Sequence, residues 1–143
     1  MQEIQADIWS CKGVKVIPTN LQGIMGKGLA LQAKKRYLGL EDLYRSWTVQ
    51  MPGRWNYIFF YQDLLLFHTK YLWSKDSDLA LIRQVLIEVQ EAMDVVPALH
   101  DPGCYVYLPR IGCGLGNLDW GTQVLPLVEK HLGEFENVVL VKP

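Results

Sequence analysis

Two glycine clusters, residues 23–28 (GIMGKG) and 112–116 (GCGLG), each stand just beyond an apolar run, and this doubled arrangement constrains the fold more than any other feature of the sequence. The first run holds Val14, Val16 and Ile17, whose β-branching suits a buried strand, and passes through Pro18, Thr19 and Asn20 into the glycines. Beyond Gly28 the apolar spacing becomes that of a helix, with Leu29, Ala30, Leu31 and Ala33. Its last turn carries Lys34, Lys35 and Arg36, where cations complement the helix dipole. Strand, glycine loop and helix start in succession expose bare backbone amides beside a partial positive charge, which is how a chain makes room for a diphosphate. One such loop is equally compatible with plain turn chemistry ahead of a helix. Neither cluster spells G-x-x-x-x-G-K-[ST] or the G-x-G-x-x-G dinucleotide fingerprint. Two loops after two strands say more: in open α/β sheets ligands settle outside the carboxyl ends of strands, so the pair predicts a phosphate-bearing ligand held between them.

The remaining segments alternate strand and helix. Residues 2–7 form a short strand ending at Asp7, which is either a turn residue or an acceptor for a nucleobase amine. Residues 40–50 place Leu43, Tyr44 and Trp47 at helical spacing as core, with Pro52-Gly53 as the stop. Residues 55–61 and 64–69 read as a hairpin turning at Gln62-Asp63. From Asp78 onward Leu79, Ile82, Val85, Leu86, Val89 and Met93 trace a long amphipathic helix, with Ser77 or Asp76 as its N-cap, and the prolines of 95–103 end it. A strand over 104–108 leads into the second cluster. A helix over 120–132 follows, capped by Asp119, with Pro126 near its first turn or at a bend. Residues 138–141 close the chain as an apolar strand. This order predicts α/β layers with helices on both faces of a mixed sheet.

At 143 residues, half of them hydrophobic, the chain fits one domain with its own core. Fourteen basic against fifteen acidic residues leave a net charge of −1, which excludes a broad electrostatic grip on nucleic acid and leaves only local contact. Cys11, Cys104 and Cys113 are odd in number and lack metal-ligand spacing, so the expectation is a reducing cytoplasm with no disulfide framework and no metal. No segment reads as a targeting sequence or a membrane span. A monomer is expected for this size.

The segments NLQGIMGKGLALQAKKRY and YLPRIGCGLGNLDW, in this order and separation, together with Ala6-Asp7-Ile8, resemble the macrodomain family. The likeness covers nearly the whole chain and is greatest to the branch that contains the terminal ADP-ribose glycohydrolase and the DNA-directed antitoxin DarG. It implies a single macrodomain over 1–143, a three-layer α/β/α fold with a mixed central sheet, ADP-ribose as ligand and no cofactor. Carried over position by position, Asp7 binds the adenine amine and Ile8 offers a nearby amide. Asn20 reaches the distal ribose, while Gly23, Ile24, Met25, Gly26, Lys27 and Gly28 wrap that ribose and the diphosphate. Gly112, Cys113, Gly114, Leu115 and Gly116 form the second diphosphate loop.

The resemblance also implies a reaction. Leu66-Phe67-His68-Thr69-Lys70 is similar to the segment in which this branch carries a catalytic lysine at a strand end, just after a threonine. An unprotonated lysine amine can attack the anomeric carbon of ribose, release the linked group and form a sugar adduct that water later hydrolyses. Lys70 is the candidate, against the plainer reading of a solvated strand-end lysine; Lys75, in the same irregular segment, is the second. Two positions depart from the pattern. Gly116 stands where the protein glycohydrolase has an acidic residue and where DarG-like members also have glycine, and His68 replaces a proline. Asp119 lies three residues later, but helix capping explains it. His68 reads as a strand histidine satisfied by its neighbours, against the alternative of a catalytic group, Cys113 as a small loop residue, and His100 and His131 as surface residues. Trp9, Trp73 and Trp120 are core aromatics or stacking partners for a base.

Three functions fit: an enzyme that removes ADP-ribose from a modified macromolecule, DNA base or protein, with local contact to ADP-ribosylated DNA; a phosphatase acting on ADP-ribose 1''-phosphate; and a non-catalytic reader of ADP-ribose.

Overall fold

The computed structural model describes residues 1–50, 53–101 and 103–143. Six strands make one mixed sheet: β1 (Glu3–Gln5), β2 (Val14–Asn20), β3 (Ile58–Tyr61), β4 (Leu64–Lys70), β5 (Val106–Pro109) and β6 (Val138–Lys142), in the spatial order β1-β6-β5-β2-β4-β3. All neighbours run parallel except the β3–β4 hairpin, which turns at Gln62 and Asp63 as the sequence predicts. Gln62 adopts a left-handed φ of 50° there.

Alternation along the central strands divides the core in two. Val16, Leu65, Phe67, Val106, Leu108, Val138 and Leu140 face one way, onto α3 (Leu79–Val95), α4 (Pro97–His100) and α5 (Leu125–Leu132). Ile17, Leu64 and Leu66 face the other way, onto α1 (Gly28–Arg36) and α2 (Leu40–Gln50). The near-continuous apolar run of β4 is therefore that of a strand covered on both faces.

Several boundaries and packing roles differ from those the sequence predicts. Asp78, not Ser77 or Asp76, caps α3, its carboxylate accepting the Leu81 N–H at 2.9 Å. Leu43 is half exposed, whereas Leu40, Tyr44 and Trp47 are buried; the face of α2 is set one turn earlier. The expected stop for that helix at Pro52-Gly53 begins outside the described residues. Pro97 initiates a four-residue helix where only a break is expected, because a proline at the first turn forfeits no internal bond. Asp119 does cap its helix, accepting the Thr122 N–H at 2.8 Å, but the helix opens with a π turn, Trp120–Val124, so that Pro126 falls at the start of α5. His131, expected at the surface, is buried beside Gln90.

Pro18 inside β2 shows how the sheet opens. Val14 donates its N–H toward β5, to the Tyr105 carbonyl, and Lys15 donates toward β4, to the Asp63 carbonyl. Strand alternation puts the nitrogen of residue 18 on the β5 side, where β2–β5 pairing has already ended at Lys15. The missing N–H costs no ladder bond, and the two strands splay apart at their carboxyl ends.

Candidate functional site: a cleft between two glycine loops

The splayed strands open into a cavity of about 720 Å³, a size suited to a small-molecule ligand. Pro18, Thr19 and Asn20 end β2, Thr69 and Lys70 end β4, Pro109 ends β5 and Arg110 follows it; all seven line it. After β2 the chain turns to one side, to β4, while β5 and β6 lie on the other, so the cavity sits where the strand order reverses.

Both glycine clusters reach this cavity. Ile24, Gly26, Lys27 and Gly28 line one wall, and Gly112, Cys113, Leu115 and Gly116 another. The two meet: a Cβ added to Gly28 would lie 3.6 Å from the Leu115 side chain. The start of α1 faces the same space through Leu29 and Ala30, and its cap residue, Lys27, makes no side-chain hydrogen bond to it. Its first-turn amides are thus left without a side-chain cap. Lys27, Lys70, Lys75 and Arg110 against Asp76 give the wall an excess of positive charge suited to a diphosphate.

Gly23 and Met25, like Asn20, hold the first loop. Asn20 donates its amide to the Ile24 carbonyl at 2.8 Å and accepts the N–H groups of Gln22 and Ile24, so it shapes the loop it precedes. Met25 is fully buried and donates its N–H to Glu41 at 2.8 Å. Burial would raise the Glu41 carboxyl, but the Met25 N–H, Lys34 and Arg45 outweigh it and hold it below the usual range. Gly23 packs against α2, where an added Cβ would come within 2.6 Å of the Arg45 Cα at a φ of +73°. Replacing Gly23 with alanine is expected to cost about 2–4 kcal/mol, because backbone would have to move on both sides. Gly26→Ala, whose Cβ meets nothing nearer than 3.8 Å, should cost far less. Urea midpoints of the two variants make the comparison.

Asp7, Ile8 and Gly114 do not line the cavity. Asp7 accepts the Trp9 N–H at 3.0 Å and caps a 3-10 turn, Ile8–Ser10. Trp120 is core, and Trp9 packs under Arg36 and donates to Gln32; of the three tryptophans weighed above, only Trp73 lines the cavity, half exposed. Burial and the nearby Asp119 push the Cys113 thiol up, against a smaller opposing effect of Arg110, which does not make a reactive thiolate.

Lys70 is set by a bulge. Pairing of β4 with β2 runs Thr19 to His68 and then Asn20 to Lys70, skipping Thr69, and such an extra residue re-aims the side chains beyond it. Just before it, His68 is fully buried among Tyr44, Trp47 and Tyr57, with neither ring nitrogen hydrogen-bonded among the described residues. The expectation of a histidine satisfied by its neighbours fails here: the neighbours are aromatic faces. Desolvation lowers its pKa to about 3.

Residues 73–77, within a segment unpatterned in the sequence, form the third wall. Trp73 donates its N–H to Gln22 at 2.9 Å, Ser77 donates its N–H to the Gly116 carbonyl at 3.0 Å, and Asn117 donates its amide to Asp76 at 2.7 Å. Sequence reasoning missed Arg110, Ser77 and Asn117 as lining residues. For Arg110 and Asn117 the available signal was position, next to a strand end and to a glycine cluster; Ser77 carried none, because its contact with Gly116 is made only in the fold.

No family model matches the chain, and no curated protein does. Solved structures do: the fold is that of a macrodomain. The macrodomain of Mycobacterium tuberculosis DarG superposes with a TM-score of 0.84 at 24% identity, covering 99% of this chain and 96% of that one. The macrodomain of Thermus aquaticus DarG gives 0.82 at 21% identity, covering 99% and 95%. Thermosipho africanus DarTG, solved in complex with ADP-ribose, gives 0.80 at 24% identity; all but 1% of this chain aligns, to 41% of that longer one.

Proposed function

We propose that residues 1–143 form a single macrodomain, acting as a cytoplasmic monomer, that binds ADP-ribose in the cleft and releases it from a modified macromolecule, with Lys70 as nucleophile. The observation that carries this reading is the convergence of both glycine loops, the uncapped start of α1 and Lys70 on one cationic cavity. The diphosphate would lie between residues 24–28 and 112–116, directing the distal ribose toward the end of β4. The Lys70 amine attacks the anomeric carbon, the linked group departs with the amine's proton, and water then hydrolyses the sugar from the lysine. A DNA base is favoured over a protein side chain because Gly116 supplies no carboxylate there. Support for ADP-ribose itself comes from the DarTG neighbour that holds it.

The test offers ADP-ribosylated single-stranded DNA, ADP-ribosylated protein and ADP-ribose 1''-phosphate side by side, with calorimetry on free ADP-ribose. Release of ADP-ribose from the DNA is expected. Binding without turnover of any of the three would make the protein a reader, and phosphate release alone a phosphatase.

A further inference from the structure

We propose that Asp76 is the acid–base carboxylate that returns the sugar adduct on Lys70 to water. The inference rests on the lysine reading above and deepens it.

Hydrolysis of the adduct needs a group that takes a proton from water and delivers it to the departing lysine nitrogen. Asp76 is the only carboxylate among the described residues that line the cavity. The other nearby acids are committed elsewhere: Asp7 caps the 3-10 turn, Glu41 anchors the first loop, and Asp119 accepts from both the N–H and the hydroxyl of Thr122. Nor can a side chain at position 116 supply one. A Cβ on Gly116 would fall 2.2 Å from the Ser77 hydroxyl and 2.9 Å from the Ser77 Cβ, so Ser77 fills that place.

Asp76 is also held in place. Its Oδ1 accepts the Asn117 amide at 2.7 Å, and Asn117 adopts a left-handed φ of 63°, which asparagine tolerates. Its Oδ2 has no protein partner among the described residues and is available to water. In the step, Oδ2 takes a proton from water as the water oxygen bonds to C1'' of the ribose. The bond from C1'' to Lys70 Nζ breaks with its electron pair on nitrogen, and the proton passes from Asp76 to that nitrogen. Lysine amine, carboxylate and free ADP-ribose remain.

Asp76→Asn tests this, because asparagine keeps an acceptor for Asn117 and loses the base. On ADP-ribosylated single-stranded DNA, turnover should fall about 100-fold or more while calorimetry shows ADP-ribose binding within about threefold of the parent. Rapid quenching in denaturant followed by intact mass should show an ADP-ribosyl adduct on Lys70 several times more abundant than in the parent. Asn117→Ala, which frees the carboxylate but keeps it, should cost only about tenfold. Parental turnover in Asp76→Asn with a heavier loss in Asn117→Ala would make the pair a structural clamp and overturn the inference, leaving the lysine reading intact. An unmodified parent that releases nothing, and forms no adduct, would remove the lysine reading itself.

Discussion

Lys70→Ala is expected to lower release of ADP-ribose from modified DNA by roughly 10³-fold or more, with affinity for free ADP-ribose within about threefold of the parent. Loss of a nucleophile removes a step that binding alone cannot replace, whereas the groups proposed to hold the diphosphate lie on other elements: Ile24, Gly26, Lys27 and Gly28, Gly112, Cys113, Leu115 and Gly116, and the start of α1. A single-turnover assay on ADP-ribosylated oligonucleotide, paired with calorimetry, reads both quantities. Activity retained at the parental level would exclude the lysine mechanism. Loss of both activity and affinity would instead assign Lys70 to ligand binding. Lys75→Ala, on the exposed wall segment, should cost far less.

The second large effect is on stability. His68 has a folded-state pKa near 3 against an ordinary value of 6.5, because desolvation among Tyr44, Trp47, Tyr57 and the β4 backbone penalises the imidazolium. A depressed histidine binds its proton in the unfolded chain before the folded one. Its stabilising effect is therefore intact above pH 6.5 and is lost progressively as pH falls toward 3. Between pH 7 and pH 4 this one residue should remove roughly 3 kcal/mol, a large share of a domain's marginal stability. Urea midpoints across that range should fall steeply in the parent and less in His68→Phe. His131, whose pKa is also lowered by burial, adds a contribution of the same sign to both proteins, so the difference between them isolates His68. Equal slopes would mean that water reaches the ring.

His68 also explains why β4 can be buried on both faces up to its functional end. An aromatic pocket takes a neutral imidazole as it would any flat ring, and the Tyr44 hydroxyl beside it is turned instead to Thr19 and to the Asn20 carbonyl. The α2 layer is thereby tied to the last residues of β2, directly under the first glycine loop.

How much was legible follows from the range of each interaction. Val14, Val16 and Ile17, the glycines of both clusters and the cations at the end of α1 each state a local preference, so the strand–loop–helix units and the α/β class could be read without coordinates. Asp119 could be read as a cap because capping involves only the next turn. Other features depend on partners distant in sequence. Gly23 is a packing glycine only because Arg45 lies against it, and Ser77 excludes a side chain from 116 only because β4 and β5, on either side of β2, end at the same edge of the sheet. The bulge at Thr69, the splay beyond Lys15 and the position of Asp76 over the second loop are likewise products of strand pairing. The sequence alone determined the strands, the main helices and that two glycine loops follow strands, since backbone preference and periodicity act over a few residues. Only the tertiary structure decided which loop residues line the cavity, which carboxylate shares it with Lys70 and how deeply His68 is desolvated, since each is set by what the fold brings alongside.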